Sequence, residues 1–175
     1  AVDISSTGNF TMNYDPAQGR YYLSRTYSSP GTFPFTIWAF DSSSNPRSAS
    51  DAIIVTDSTR PSISDIRVQP KPQEVFNPVN VSAVVTDNYK VQGVAVDIFG
   101  IGNFTMSYDP VQSRYFFNRT YSSTGTSPFT VWAFDFSGNW ISALDAILVT
   151  DSTRPTITDL TVKPPVQQVG GLVNI

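Results

Sequence analysis

The residues in this chain best suited to chemistry are asparagines followed two positions later by a hydroxyl. Asn9-Phe10-Thr11, Asn80-Val81-Ser82, Asn103-Phe104-Thr105 and Asn118-Arg119-Thr120 all match the N-glycosylation acceptor pattern. Covalent N-glycans are therefore expected at Asn9, Asn80, Asn103 and Asn118 if these side chains face solvent. A second group is acidic: Asp41 precedes Ser-Ser-Ser-Asn, Asp135 precedes Phe-Ser-Gly-Asn, and Asp57 and Asp151 each precede a serine. Oxygen-rich turns of this kind can hold calcium, yet calcium takes six to eight oxygens and each stretch has one local carboxylate. The favoured role for each Asp is closing a turn onto backbone N–H groups, with calcium as a disfavoured alternative and no other cofactor or metal expected. The chain has no His and no Cys, which removes the usual general bases, thiol nucleophiles and nitrogen or sulfur metal ligands. Neither half carries a distinctive acidic pair beyond the turns, so no enzyme is expected. An isopeptide crosslink through Lys71 or Lys163 is disfavoured, because these two lysines do not align in the repeat described below.

Strands must position these groups, since no window keeps a helical period. In Asn-Phe-Thr-Met, alternation puts Phe104 and Met106 on one face and Asn103 and Thr105 on the other. In the stretch after Pro78 it turns Val81, Ala83 and Val85 inward and Asn80 outward. In Pro-Phe-Thr-Val-Trp-Ala-Phe-Asp the core set is Phe129, Val131 and Ala133. Trp132 and Phe134 then point outward, as do Trp38 and Phe40 in the earlier copy, where a neighbouring subunit or a sugar could cover them. Asp109-Pro110 and Ser137-Gly138-Asn139 read as turns between strands.

The seven residues VTDSTRP occur at 55–61 and again at 149–155, and residues 1–81 align with 95–175 without a gap, 51 of 81 pairs being identical. A period of 94 residues means a repeated domain rather than a solenoid unit. Hydrophobic residues at 40% and aromatics at 13% suffice for packed cores. A net charge of −3 without a basic stripe argues against nucleic acid as a partner. No run of 18 apolar residues occurs, so no membrane span is expected. The absence of Cys tells against a disulfide scaffold. The opening residues lack the marks of an export signal, which is expected to have been removed or to lie outside this chain.

The segments DSTRPSISDIRVQP (57–70), VNVSAVVTDN (79–88), YDPVQSRYFF (108–117) and PFTVWAFDFSGN (128–139) together resemble the tandem Ig-like or fibronectin-III-like domains of archaeal and bacterial cell-surface proteins. The resemblance covers essentially the whole chain and implies an all-β fold of antiparallel Ig-like β-sandwiches in tandem. In that family a domain opens at the Asp-x-Thr-x-Pro segment and closes after the strand following the Ser-Gly-Asn turn. Carried over, 57–150 is a complete domain, 1–56 an incomplete one lacking its first two strands, and 151–175 a donor-like segment equivalent to the first strand and the start of the second. A sheet missing a strand leaves backbone groups unpaired and its inner face wet. The segment 151–175 offers Ile157, Leu160, Val162, Val166, Val169, Val173 and Ile175 at strand-like spacing. Donated to another copy, it makes a heterologous, non-closing contact and hence a fibre. The expectation is an extracellular or cell-surface filament subunit whose partner is itself, head to tail, with glycans or host-surface components as further partners. The alternative is a segment of a longer tandem-Ig adhesin or carbohydrate-binding spacer.

Overall fold

The computed structural model describes residues 1–5, 7–163 and 165–174. It is all-β: among the described residues there is no helix, and the sheets are antiparallel apart from one short parallel pairing. The head, residues 1–56, contains β1 (Val2–Ile4), β2 (Gly8–Phe10), β3 (Asn13–Asp15), β4 (Arg20–Tyr22), β5 (Gly31–Phe40) and β6 (Pro46–Val55). The middle, residues 57–150, contains β7 (Ser62–Gln69), β8 (Gln73–Glu74), β9 (Pro78–Thr86), β10 (Val91–Ile98) and β11 (Gly102–Thr105). It continues with β12 (Ser107–Asp109), β13 (Arg114–Thr120), β14 (Gly125–Asp135) and β15 (Trp140–Thr150).

In the middle, a five-stranded sheet of order β11-β10-β14-β15-β8 faces a four-stranded sheet of order β12-β13-β9-β7. One core joins them. Val68, Val79, Val81, Ala83 and Val85 come from the smaller sheet and meet Val96, Ile98, Phe129, Val131, Ile147 and Val149 from the larger. β-Branched and aromatic residues at alternate positions make this arrangement favourable, because each strand then buries one face and wets the other. The resemblance implies two strands before β10 and the structure has three: the short β8 crosses to the other sheet and pairs in parallel with Val149–Thr150.

The hairpin between β14 and β15 shows how the turn chemistry works. Ser137 N and Asn139 N both donate to Asp135 Oδ1 at 2.8 Å, and Asn139 Nδ2 donates to Oδ2 at 2.7 Å. Gly138 takes φ +88, a conformation open to glycine at no steric cost. In the head, Asp41 receives Ser43 N and Asn45 N at 2.9 Å in the same way, with Ser44 in the left-handed position.

The head repeats the larger sheet as β2-β1-β5-β6 and the smaller only as the hairpin β3-β4. Register carries over intact, Val2 lying opposite Ile37 as Val96 lies opposite Val131. Counterparts of β7, β8 and β9 are absent from the head among the described residues. The tail, from Asp151 onward, forms no ladder there; its β structure is the single antiparallel bridge Lys163↔Asn174.

Candidate assembly site

Where β9 seals the middle, the head has a groove. Its lining includes Val2, Ile4, Met12, Leu23, Phe35 and Ile37, and the cavity is about 390 Å³. The 94-residue repeat provides an internal control. Val131 and Ile147 are 0% exposed, whereas their counterparts Ile37 and Ile53 are each 36% exposed. Ala133 is fully buried and Ala39 exposed. Fully burying such an aliphatic side chain contributes about 1.5–3 kcal/mol, so covering the third of Ile37 and of Ile53 that remains exposed is worth about 0.5–1 kcal/mol each.

Backbone pairing changes with the side chains. β13 runs seven residues because β9 lies beside it, from Tyr115↔Ala83 to Thr120↔Pro78. Its head counterpart β4 stops after three, leaving Leu23 to Thr26 outside any strand. β15 has β8 along its outer edge, whereas β6 is an open edge of its sheet. Edges of this kind are templates for strand addition.

One polar contact is divided in the same manner. Buried Arg114 forms an ion pair through Nη1 with Asp65 Oδ2 and also donates through Nη2 to the Asp65 carbonyl. Asp65 sits at φ +48 in the bulge that interrupts the β7–β9 register between Ser64 and Arg67. Hydrogen bonds from Arg67 and then Arg114 hold its carboxyl below the usual aspartate value of 3.8. In the head the counterpart Arg20 is exposed and, among the described residues, forms no ion pair. In the tail the counterpart Asp159 is exposed too, at φ +56.

The proposed donor residues Ile157, Leu160, Val162, Val166, Val169 and Val173 are all exposed, and no hydrogen bond joins residues 156–174 to the head among the described residues. Ile175 lies outside the described residues. The start of the tail is fixed: Glu74 accepts from Ser152 N at 2.7 Å and Ser152 Oγ at 3.0 Å.

Of the sequon asparagines, Asn9, Asn103 and Asn118 are exposed. Asn80 is half-buried and its Nδ2, the atom a glycan would occupy, donates to Asn118 Oδ1 at 2.9 Å. Trp38, Phe40 and Phe134 are exposed and Trp132 is half-buried, its ring 5.3 Å from Trp140. Phe129, Val131 and Ala133 occupy the opposite, buried face.

Sequence reasoning named Asp57 and Asp135 singly and missed that Asp87 gathers with them. Asp57, Asp87 and Asp135 each bring a carboxylate oxygen within 4.8 Å of the others, and among the described residues no Lys or Arg forms an ion pair with them. These are the groups that could face a hard cation, although three carboxylates fall short of a calcium shell. Part of their bonding capacity is already used, while Asp87 Oδ1 is buried without a hydrogen-bond partner among the described residues. Asp135 accepts from its turn, Asp57 from Asn88 Nδ2 at 3.1 Å, and Asp87 Oδ2 from Tyr89 N and Lys90 N at 2.9 and 3.0 Å. Burial pushes the Asp135 carboxyl up, but the hydrogen bonds from Asn139, Ser137 and Gly138 outweigh it and leave its pKa below the usual value.

The chain matches no known protein-family model and no curated protein.

Proposed function

We propose that this chain is a structural subunit of an extracellular fibre or surface array, built from Ig-like sandwiches and joined by strand completion. The open head of one unit is filled by a strand-forming segment of the kind that 57–86 supplies to the middle. The observation carrying this reading is the contrast in burial between identical or near-identical residues: Ile147 is sealed and Ile53 is not. The strand order supports the Ig-like assignment. Lettered from β7, it gives D-E-B-A in one sheet and C′-C-F-G in the other, with β8 as an extra edge strand beside G. The absence of His and Cys fits mechanical rather than catalytic work.

A second reading places the chain in a longer tandem array whose flanking residues fill the head in cis. It is favoured by the length of β9, nine residues in the middle, of which 151–175 carries the counterparts of the first four. Both readings require the same groove.

Sedimentation velocity and electron microscopy of the purified chain, with and without residues 151–175, test the proposal. End-to-end oligomers that disappear on deletion while the middle still melts cooperatively support the fibre. A monomer that closes its head only when given a peptide of residues 57–86 favours the array. A monomer whose head neither assembles nor accepts that peptide overturns both.

A further inference from the structure

The middle shows, residue by residue, what the head is missing, and the tail carries much of it. Residues 57–81 and 151–175 share 13 identities in 25. Two features of the tail go beyond sequence. Its bridge Lys163↔Asn174 is the middle pair Gln69↔Asn80 moved by 94 residues, with N–H···O distances of 3.0 and 3.1 Å. Asp159 also keeps the left-handed backbone of Asp65, at φ +56 against +48. A non-glycine residue rarely adopts this conformation without a local reason, and in β7 that reason is the bulge presenting Asp65 to Arg114. The tail thus keeps one pair of the β7–β9 register and the left-handed backbone of its bulge residue, without a sheet to join.

We propose that residues 156–174 of a second copy seat on the head with Asp159 against Arg20 and Asn174 across from Ser24. This rests on the fibre reading above and fixes its register. Arg20 and Asp159 are the separated halves of the Arg114–Asp65 pair, so the contact unites an exposed cation with an exposed anion. Asn174 takes the place of Asn80 opposite Asn118, whose counterpart is Ser24. On the other sheet, Gln167 and Gln168 run in parallel beside Val55 and Thr56, as Gln73 and Glu74 do beside Val149 and Thr150. Val162 and Val173 then cover the groove floor where Val68 and Val79 lie in the middle.

The chain has no Cys, so engineered thiols report cleanly. Cross-strand neighbours fall within the Cα separation a disulfide needs. Ser24→Cys and Asn174→Cys, both at exposed positions, are made in separate chains and mixed under mild oxidation. The expected result is a species of doubled mass linking the two variants, with Leu172→Cys in place of Asn174→Cys giving little. Arg20→Ala and Asp159→Ala each weaken association roughly tenfold or more, and the double variant is no worse than either, as for a pair acting together. A fibre that crosslinks at Leu172 but not at Asn174 overturns this register and leaves strand exchange standing. A disulfide closing within one molecule of a double-cysteine chain overturns exchange between copies. Monomers with no crosslink overturn both.

Discussion

Head and middle are near-copies in sequence and opposites in state. Val2 and Ile4 are buried in the head as Val96 and Ile98 are in the middle, both pairs lying on a strand flanked on each side in a sheet that each region makes for itself. Phe35, Ile37 and Ile53 differ from Phe129, Val131 and Ile147 because the cover over the latter comes from the layer that β7 and β9 form, which the head lacks. Burial here is decided by the partner more than by the residue. The same holds for secondary structure: β4 ends where β13 continues, since a strand without a neighbour has no ladder to offset its conformational entropy.

Several measurements would break or sharpen this contrast. The largest effect is expected from Ile147→Ala against Ile53→Ala. The first should cost about 2–5 kcal/mol of middle stability through loss of burial and a residual cavity. The second should cost less, about 1–2 kcal/mol, in a chain kept monomeric, and more once assembled; denaturant titration of each form checks it. Equal costs in monomers would mean that the head is closed. Next comes Arg114→Ala against Arg20→Ala. Arg114 anchors Asp65 across two strands, so its loss should lower the middle's Tm by several degrees, whereas Arg20→Ala should leave the monomer's melting unchanged and weaken only association.

Acid provides a third test. Asp41, Asp65, Glu74 and Asp135 all have carboxyl pKa values below their ordinary ones when folded. A depressed folded pKa contributes stability that is present above the unfolded value and lost as pH falls through the folded one. The ordinary values are 3.8 and 4.5, so melting temperature should hold from neutrality to the upper end of that range and fall below it. Three of the four groups serve the middle and one, Asp41, serves the head, so the middle should lose more. The smallest effect is expected at the aromatics. Trp140→Ala removes the tilted stack on Trp132, worth about 0.5–1.5 kcal/mol, while Trp38→Ala should cost less because Pro46 stands where the second indole would be.

What could be read from the sequence was whatever depends on neighbours along the chain. The alternation of Phe129, Val131 and Ala133 against Trp132 and Phe134, and the Asp135 turn, follow from local period and turn chemistry, and the all-β antiparallel fold follows from those strands. What escaped depends on residues far apart in sequence. Arg114 and Asp65 are separated by 49 positions, and Asp57, Asp87 and Asp135 come from three different loops and strand ends. The two-residue β8 has no periodicity to detect, and its parallel pairing exists only because β15 is there to receive it. Alternation alone puts Asn80 on the solvent face and says nothing of Asn118, which takes up its amide.

The contact of Glu74 with Ser152 has a mechanical consequence. The tail leaves the middle covalently from β15, and the hydrogen bonds from Ser152 to Glu74 tie that exit to the neighbouring β8 as well. The exit of the tail is thus pinned to two strands at once, and the tail position matching Glu74 is filled by Gln168, an uncharged amide in place of the anion.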